Sequence, residues 1–295
     1  MTNKQKITVA AICCAPVLLG IALLLSNSSE SLSPLSFSKK IGLVQINDVI
    51  LASEPSIKQL RQFREDDAIA GVVLRIDSPG GASAPSQEIF KEVLKYRDEN
   101  KPLVVSVGNM AASGGYYIAS PAMKIFANPG SITGSIGAIV EFPQYYKLLD
   151  KIGVSLKVIK AGNFKDMGSP QREMTRQDRI LMQSIVDDIH EQFIRDVCKA
   201  RSLEADSIRP IADGRIMTGA QALKARLIDT LGGYEDALAY LKTYLGLPVK
   251  TAVVEKKHRE SFLRTLIFGE FAERFPFLKN TYTPAGSYFL FQGGL

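Results

Sequence analysis

Two glycine-rich segments carry residue types that suit acyl-transfer chemistry, and each follows an apolar run typical of a strand. In RIDSPGG (75–81), Pro-Gly-Gly makes a sharp turn whose backbone amides are uncovered by side chains, so an N–H could point at an oxyanion. NMAASGGYYIAS (109–120) places Ser113 where a helix would begin. The Ser113 hydroxyl and the Gly114 amide would then share the positive end of the helix dipole. The alternative is that Ser113 only caps the helix.

A third segment, KVIKAGNFKDMGSPQRE (157–173), contains a candidate base. Lys165 follows a predicted strand and is flanked by Phe164 and Met167, which are expected to desolvate it. Desolvation lowers the pKa of an ammonium group, and the neutral amine could then act as general base for a serine. The alternative is an ordinary solvated loop lysine.

Histidine and cysteine contribute little to this chemistry. His190 lies in an amphipathic helical stretch and His258 in the charged run VEKKHRE, so both are expected at the surface. A histidine-based hydrolase and a zinc site are therefore disfavoured. Cys13 and Cys14 are adjacent in an apolar run, and we expect Cys198 to be a small core or surface residue.

The elements that must position these residues alternate along the first half of the chain. Short β-rich runs occur at 41–46, 69–76, 102–107, 124–129, 137–140 and 156–160, with helical candidates at 56–66, 84–99, 111–120 and 143–152. Strands apolar on both faces, separated by helices, predict an α/β fold with a mostly parallel sheet.

The second half of the chain is predicted to be helical, with the strands ending near Thr175. The stretch from Thr175 to Ser202 repeats apolar residues every three to five positions, which gives it one apolar face. That face either packs in the core or forms a subunit interface.

Composition limits the class of protein, and the N-terminus predicts a membrane anchor. The chain of 295 residues is 46% hydrophobic and 22% charged, which disfavours a disordered or polytopic membrane protein. Its net charge of +6 is too small and dispersed to indicate a nucleic-acid partner. Residues 7–26 are uncharged and long enough to cross a bilayer as a helix. A cleavable signal peptide is the alternative.

Lys4 and Lys6 favour a cytoplasmic N-terminus and a body outside the cytoplasm. The Ser-rich stretch that follows reads as a flexible tether.

The ordered set SPGG, MAASGGYY, SITGSIGAI (131–139) and FKDMGSP (164–170), behind an anchor, resembles the short bacterial form of the signal peptide peptidase A family. That family consists of membrane-anchored Ser/Lys peptidases with the crotonase/Clp-protease fold. The resemblance covers about residues 41–245. It implies a peptidase domain there, after an anchor at 1–26 and a tether at 27–40, with residues 246–295 as a C-terminal extension.

The resemblance assigns Ser113 as nucleophile, Lys165 as general base and Ser135 as the hydroxyl that orients the lysine. Gly81 and Gly114 become the oxyanion-hole donors. Gly80 is the next candidate after Gly81. No metal or cofactor is implied.

The implied substrates are remnant signal peptides and other unfolded apolar peptides. The implied assembly is a homo-oligomer, eight subunits by resemblance, on the outer side of the cytoplasmic membrane, in which Ser and Lys of one site come from one subunit or from two.

Two rival functions remain: a crotonase-type enzyme acting on acyl-thioesters, and a membrane scaffold of the same fold with a dead site. The apolar end SYFLFQ (287–292) suggests a further hypothesis, that the tail binds as a strand in the peptide groove of its own or a neighbouring subunit. Packing of residues 261–275 as a helix on the body or the membrane surface is the alternative.

Overall fold

A parallel β-sheet organises the folded body. The computed structural model describes residues 39–256 and the backbone of 288–290. Strands occupy Lys40–Asn47 (β1), Ile69–Ser78 (β2), Gly80–Ala82 (β3), Leu103–Ala112 (β4), Lys124–Ala127 (β5), Ile132–Gly134 (β6), Ile216–Thr218 (β7), Thr230–Leu231 (β8), Val253–Glu255 (β9) and Tyr288–Leu290 (β10). The main sheet has the order β7-β6-β4-β2-β1-β9, with β5 beside β4 and β8 beside β5. Its described pairings are parallel except β6 with β7, so the predicted α/β class is confirmed.

Helices connect these strands. They span Glu54–Glu65 (α1), Ser83–Asp98 (α2), Gly114–Ala119 (α3), Tyr146–Lys151 (α4), Arg176–Arg201 (α5), Ala205–Ile208 (α6), Gly219–Lys224 (α7) and Tyr234–Tyr244 (α8), with a 3₁₀ turn at Arg209–Ile211. Among the helices that the structure describes, none is long and apolar enough to cross a bilayer. Residues 7–26 lie outside the described part of the chain.

The core has two layers because successive strand residues face opposite sides of the sheet. On β2, Val72 and Leu74 pack in the larger layer, and Val73 packs in the smaller one. The larger layer includes residues of α1, α2, α3 and α5, whereas α8 covers the other face. Both sheet faces are buried, which explains why the central strands read as continuous apolar runs.

Four predicted elements differ from the structure. The helix expected at 111–120 begins only at Gly114, because β4 continues to Ala112. The run at 156–160 is exposed and forms no strand, and the strand expected at 137–140 lies instead at β6, Ile132–Gly134. Strands also continue beyond Thr175: β7 pairs with β6 and β9 pairs with β1, so the sheet includes residues beyond position 245.

Candidate active site

Ser113 lies at the junction between β4 and α3, in a conformation that few non-glycine residues adopt. Its φ is 51° and its ψ is −118°, and it is 1% exposed. Its N–H donates to the carbonyl of Gly134 at 2.8 Å, and its own carbonyl accepts the Tyr117 N–H at 2.8 Å. The hydroxyl makes no cap hydrogen bond to α3. The capping alternative is therefore wrong, and the strained backbone instead holds an uncommitted hydroxyl at the end of the strand.

The glycine strand β3 lies beside this junction, since α3 contacts β3. Ile50 bridges Gly81 in parallel: the Ile50 N–H donates to Gly80 O at 2.8 Å, and the Ala82 N–H donates to Ile50 O at 2.7 Å. In such a bridge the amide and carbonyl of Gly81 point to the opposite edge. A Cβ at position 81 would lie 2.1 Å from Ile50 O, so only glycine fits there.

Gly81 is the better of the two candidate donors on this strand. The Gly80 N–H donates to the Ser78 hydroxyl at 3.1 Å, which occupies it. Ser78 is fully buried, and its hydroxyl also donates to the Asp48 carbonyl at 2.6 Å. Ser78 is thus a site residue that sequence reasoning missed, although its place before Pro-Gly-Gly is typical of a hydroxyl that bonds the turn it opens. Gly114, the first residue of α3, supplies the second candidate donor because a first-turn N–H has no partner within its helix.

A strand from the C-terminal tail occupies the open edge of β3. β10 pairs antiparallel with β3, with Phe289 opposite Gly81 and Leu290 opposite Gly80. β10 also contacts α2 and α3. The edge that carries the candidate oxyanion donor therefore accepts an extended backbone.

Ser135 lies on the other side of the junction. It follows Gly134, whose carbonyl holds the Ser113 N–H, and its own N–H donates to Arg215 O at 2.8 Å. Ser135 is 6% exposed, has a φ of 53° and lines a cavity of about 500 Å³. The other walls of this cavity come from residues 137–139, from α5 and from the loop before β7.

Lys165 and Ser113 lie in different surroundings within one chain, since Ser113 is buried and Lys165 is exposed. Lys165 is exposed in a turn, and no hydrogen bond joins its Nζ to a described residue. Phe164 is itself 42% exposed. The expectation that Phe164 and Met167 desolvate Lys165 is therefore wrong for the isolated chain. Phe142 packs against Gly168 at the end of this turn, but Lys165 itself stays exposed.

The turn that carries Lys165 is nevertheless fixed to α5. Asp166 accepts hydrogen bonds from Lys160 at 2.5 Å and Arg172 at 2.9 Å, and Arg172 also donates to Asp178 at 2.5 Å. These cationic neighbours hold the pKa of Asp166 well below its usual range, and the Arg172 guanidinium lowers the pKa of Asp178 to about 2. The network therefore stays ionised at neutral pH, and a segment without a core of its own keeps a defined turn.

The remaining candidates have structural positions. Cys198 is half-buried against the core, where burial raises the pKa of its thiol, so it is not a poised nucleophile. His190 lines the cavity beside Ser135, and its buried Nε2 has no hydrogen-bond partner among the described residues. It is thus less exposed than its sequence predicts, while His258 lies outside the described residues.

A buried serine, strained at a strand–helix junction beside a glycine edge that accepts an extended backbone, defines a serine hydrolase site. Comparisons with known proteins give the family. A family model described as Peptidase family S49 matches residues 95–247, a range that contains Ser113, Gly114, Ser135 and Lys165 but not Gly81. The chain therefore belongs to peptidase family S49 and is a serine peptidase.

Individual proteins similar to this chain also carry the names of proteases or peptidases. The "Putative signal peptide peptidase SppA" of Enterococcus faecium is 35% identical over 259 residues, which cover 83% of this chain and 75% of that protein. The "Putative protease slr0021" of Synechocystis sp. is 38% identical over 237 residues, covering 80% and 85%. Protease 4 of Salmonella typhi is 35% identical over 189 residues, covering 64% and 30%. These matches confirm the predicted resemblance and favour the peptidase over the acyl-thioester enzyme and the dead scaffold.

Proposed function

We propose that this protein hydrolyses remnant signal peptides and other unfolded apolar peptides with a Ser113/Lys165 dyad. The observation that carries the proposal is the Ser113 junction: a buried hydroxyl that caps nothing, next to a strand edge that pairs with an extended backbone. The signal-peptide substrate is suggested by the name of the Enterococcus faecium relative.

The reaction follows from these groups. The Ser113 Oγ attacks the peptide carbonyl while the neutral Lys165 amine takes its proton, and the Gly81 and Gly114 N–H groups stabilise the oxyanion. The C–N bond then breaks, and the Lys165 ammonium returns the proton to the leaving amine. Water attacks the acyl-enzyme, again losing a proton to Lys165, and the carboxylate product leaves as the Ser113 hydroxyl re-forms. Ser135 orients the amine throughout.

The peptide binds by adding a strand to β3. β10 supports this mode because it lies antiparallel on the Gly80–Ala82 edge, as a substrate backbone would. Hydrogen bonds to the backbone alone do not discriminate by side chain, which suits an enzyme that removes varied unfolded peptides. The same pairing supports the hypothesis that the tail occupies its own enzyme's groove.

We propose that Lys165 reaches Ser113 from a neighbouring subunit of a homo-oligomer, eight subunits by family resemblance. Residues 141–174, here called the arm, contain no buried residue, yet Ile152, Leu156 and Ile159 expose 62%, 55% and 100% of their surface. Exposed apolar surface of this extent marks an interface. The cavity beside Ser135 offers space for an incoming amine.

The finer architecture follows from the same resemblance. We propose a crotonase/Clp-type core that begins near residue 41 and extends past the predicted end at 245 to include β9, an anchor at 1–26 that places residues 7–26 in the cytoplasmic membrane, a tether that precedes β1, and a body on the extracytoplasmic side. A cysteine at Ser33, in a chain lacking Cys13, Cys14 and Cys198, should then react with an impermeant thiol reagent on cells whose outer barrier is opened. Labelling that requires lysis of the cytoplasmic membrane would reverse the orientation.

The function is tested by Ser113→Ala with an apolar peptide in detergent. Hydrolysis should fall to background while fold and assembly persist, because only one uncommitted oxygen is removed. Ser120→Ala, which removes a buried hydroxyl at the far end of α3, is the control and should stay active. Hydrolysis by pure, folded Ser113→Ala would reject the nucleophile.

A further inference from the structure

The strand that carries the nucleophile leaves its register with β2 just before Ser113. Ile76 pairs with Val107 and Ser78 pairs with Ala111, so β4 advances four residues where β2 advances two. Residues 108–110 thus stand opposite the single residue Asp77 and form a bulge, and on the other side of β4 Met110–Ala112 pair with β6. Bulges redirect a strand and are frequent beside active sites.

The side chain of Asp77 fills this bulge. Its Oδ1 accepts the Met110 N–H at 3.1 Å, and its Oδ2 accepts the Asn109 side-chain amide at 2.9 Å. A Cβ at position 108 would lie 2.7 Å from the Asp77 carboxyl carbon, so the glycine backbone lets the carboxylate approach. Asp77 thus bonds a backbone N–H that the bulge removes from the β2–β4 ladder.

The opposite side of the bulge is held by hydroxyls of the segment around β6. Ser131 donates to Gly108 O at 2.7 Å, and Thr133 donates to Ala111 O at 2.7 Å. Both hydroxyl-bearing residues are buried, at 4% and 0% exposure. The C-terminal end of β4 is therefore held by side-chain hydrogen bonds from both neighbouring strands.

We propose that Asp77 is a positioning residue that sets the separation of the nucleophile from the oxyanion hole. Asp77 directly precedes Ser78-Pro79-Gly80-Gly81, and through Met110 it holds the strand that ends at Ser113. Its carboxylate is thus a short link between the two halves of the site. The inference rests on the proposed roles of Ser113 and Gly81.

Loss of the Asp77 carboxylate should weaken stabilisation of the transition state more than it weakens substrate binding. The peptide edge β3 is held independently by Ile50 on its other side, so an extended peptide still finds its strand. Without the link, the Gly81 N–H and the Ser113 Oγ are no longer fixed relative to each other, and oxyanion stabilisation depends on that geometry.

The test compares Asp77→Ala with Asp77→Asn. Per Ser113 site titrated with a fluorophosphonate, Asp77→Ala should lower kcat about tenfold or more with KM within about twofold, because one misaligned oxyanion donor costs this much. A peptide aldehyde, whose carbonyl carbon bonds to Ser113 Oγ and whose oxygen enters the oxyanion hole, should lose affinity by a similar factor. Asp77→Asn should keep kcat within about threefold, because an amide oxygen still accepts the Met110 N–H.

Asp229 supplies a matched control. It also accepts a backbone N–H, from Ile125 at 2.8 Å, and a side-chain donor, Arg201 at 2.6 Å, but where β5 begins, at the opposite end of the sheet. Asp229→Ala should leave kcat and aldehyde affinity near wild type. Should Asp77→Ala not fold, Thr133→Val tests the other side of the bulge and should show the same loss of kcat.

A wild-type kcat per titrated Ser113 in Asp77→Ala, or an equal loss in Asp229→Ala, would overturn the positioning role. Fluorophosphonate labelling of the wild type at a residue other than Ser113 would instead overturn the proposed function.

Discussion

Ser113 and Lys165 occupy opposite environments in the isolated chain, and this difference matters at the residue scale. The proposed nucleophile is buried and strained, whereas the proposed base is exposed on the arm. The proposed dyad therefore requires that assembly or substrate binding bring the two side chains together and exclude water from them.

Lys165→Arg tests the base because it keeps the positive charge and stays protonated at any working pH. We expect peptide hydrolysis to be lost in both Lys165→Arg and Lys165→Ala, because neither side chain can accept the serine proton. Ser135→Ala should lower the rate only about tenfold, because it disorients the amine without removing it. Steady-state hydrolysis rates of the three variants measure this. Near-wild-type hydrolysis by Lys165→Arg would make the lysine structural.

Single residues could be predicted from the sequence where their chemistry is local. Ser113 and Gly81 each follow a long apolar strand and precede a helix, so their positions beyond the carboxyl ends of β4 and β2 follow from the pattern alone. The exposure of Lys165 could not be predicted, since the local sequence does not show whether another part of the fold covers its loop. The proposed role of Asp77 could not be predicted either, because it depends on a bulge in β4, a strand that lies well beyond Asp77 in the sequence.

At the scale of elements, the pairing of β10 with β3 predicts that the tail competes with the substrate for this edge. Deleting residues 281–295 should lower the KM for a short apolar peptide by about threefold or more, because a tethered strand competes at high effective concentration. Deleting only 291–295 keeps β10 and is the control. Unchanged kinetics after the longer deletion, or a loss of assembly, would remove the idea of a competing tail.

The elements that could be predicted are those whose own residues show that they lie in the core. β1, β2 and the first half of β4 are buried on both faces and read as apolar runs. The second half of β4 was predicted as helix at 111–112 because its strand pairing depends on β6 and the Asp77 bulge. The run LKVIK at 156–160 contains Val158 and Ile159, which favour a strand, but it pairs with no strand in the described part of the chain and stays irregular.

At the scale of the whole molecule, two apolar surfaces lack a partner within the described chain. One is the arm, and the other is the N-terminal half of α5, where Ile180 and Ile185 are 57% and 45% exposed. Further along the same helix, Phe193 and Val197 are fully buried. The core alternative is confirmed for the C-terminal half of this helix, and the subunit interface stays a prediction for its exposed N-terminal half.

Mixing two inactive variants tests whether one site is built from two subunits. Co-assembled Ser113→Ala and Lys165→Ala chains should recover about one quarter of wild-type activity, because random head-to-tail assembly pairs an intact serine with an intact lysine at that frequency. Each variant alone, assembled to the same size, is the control. Mixed oligomers without activity would place both residues of a site in one chain.

The most direct measurement of the central claim is the site of fluorophosphonate labelling in the assembled wild-type protein, mapped by peptide mass spectrometry. The proposed dyad predicts one phosphonyl group per active chain, on Ser113, absent from Ser113→Ala and formed much more slowly in Lys165→Ala. A label on another serine, or an unlabelled protein that continues to hydrolyse peptides, would contradict it.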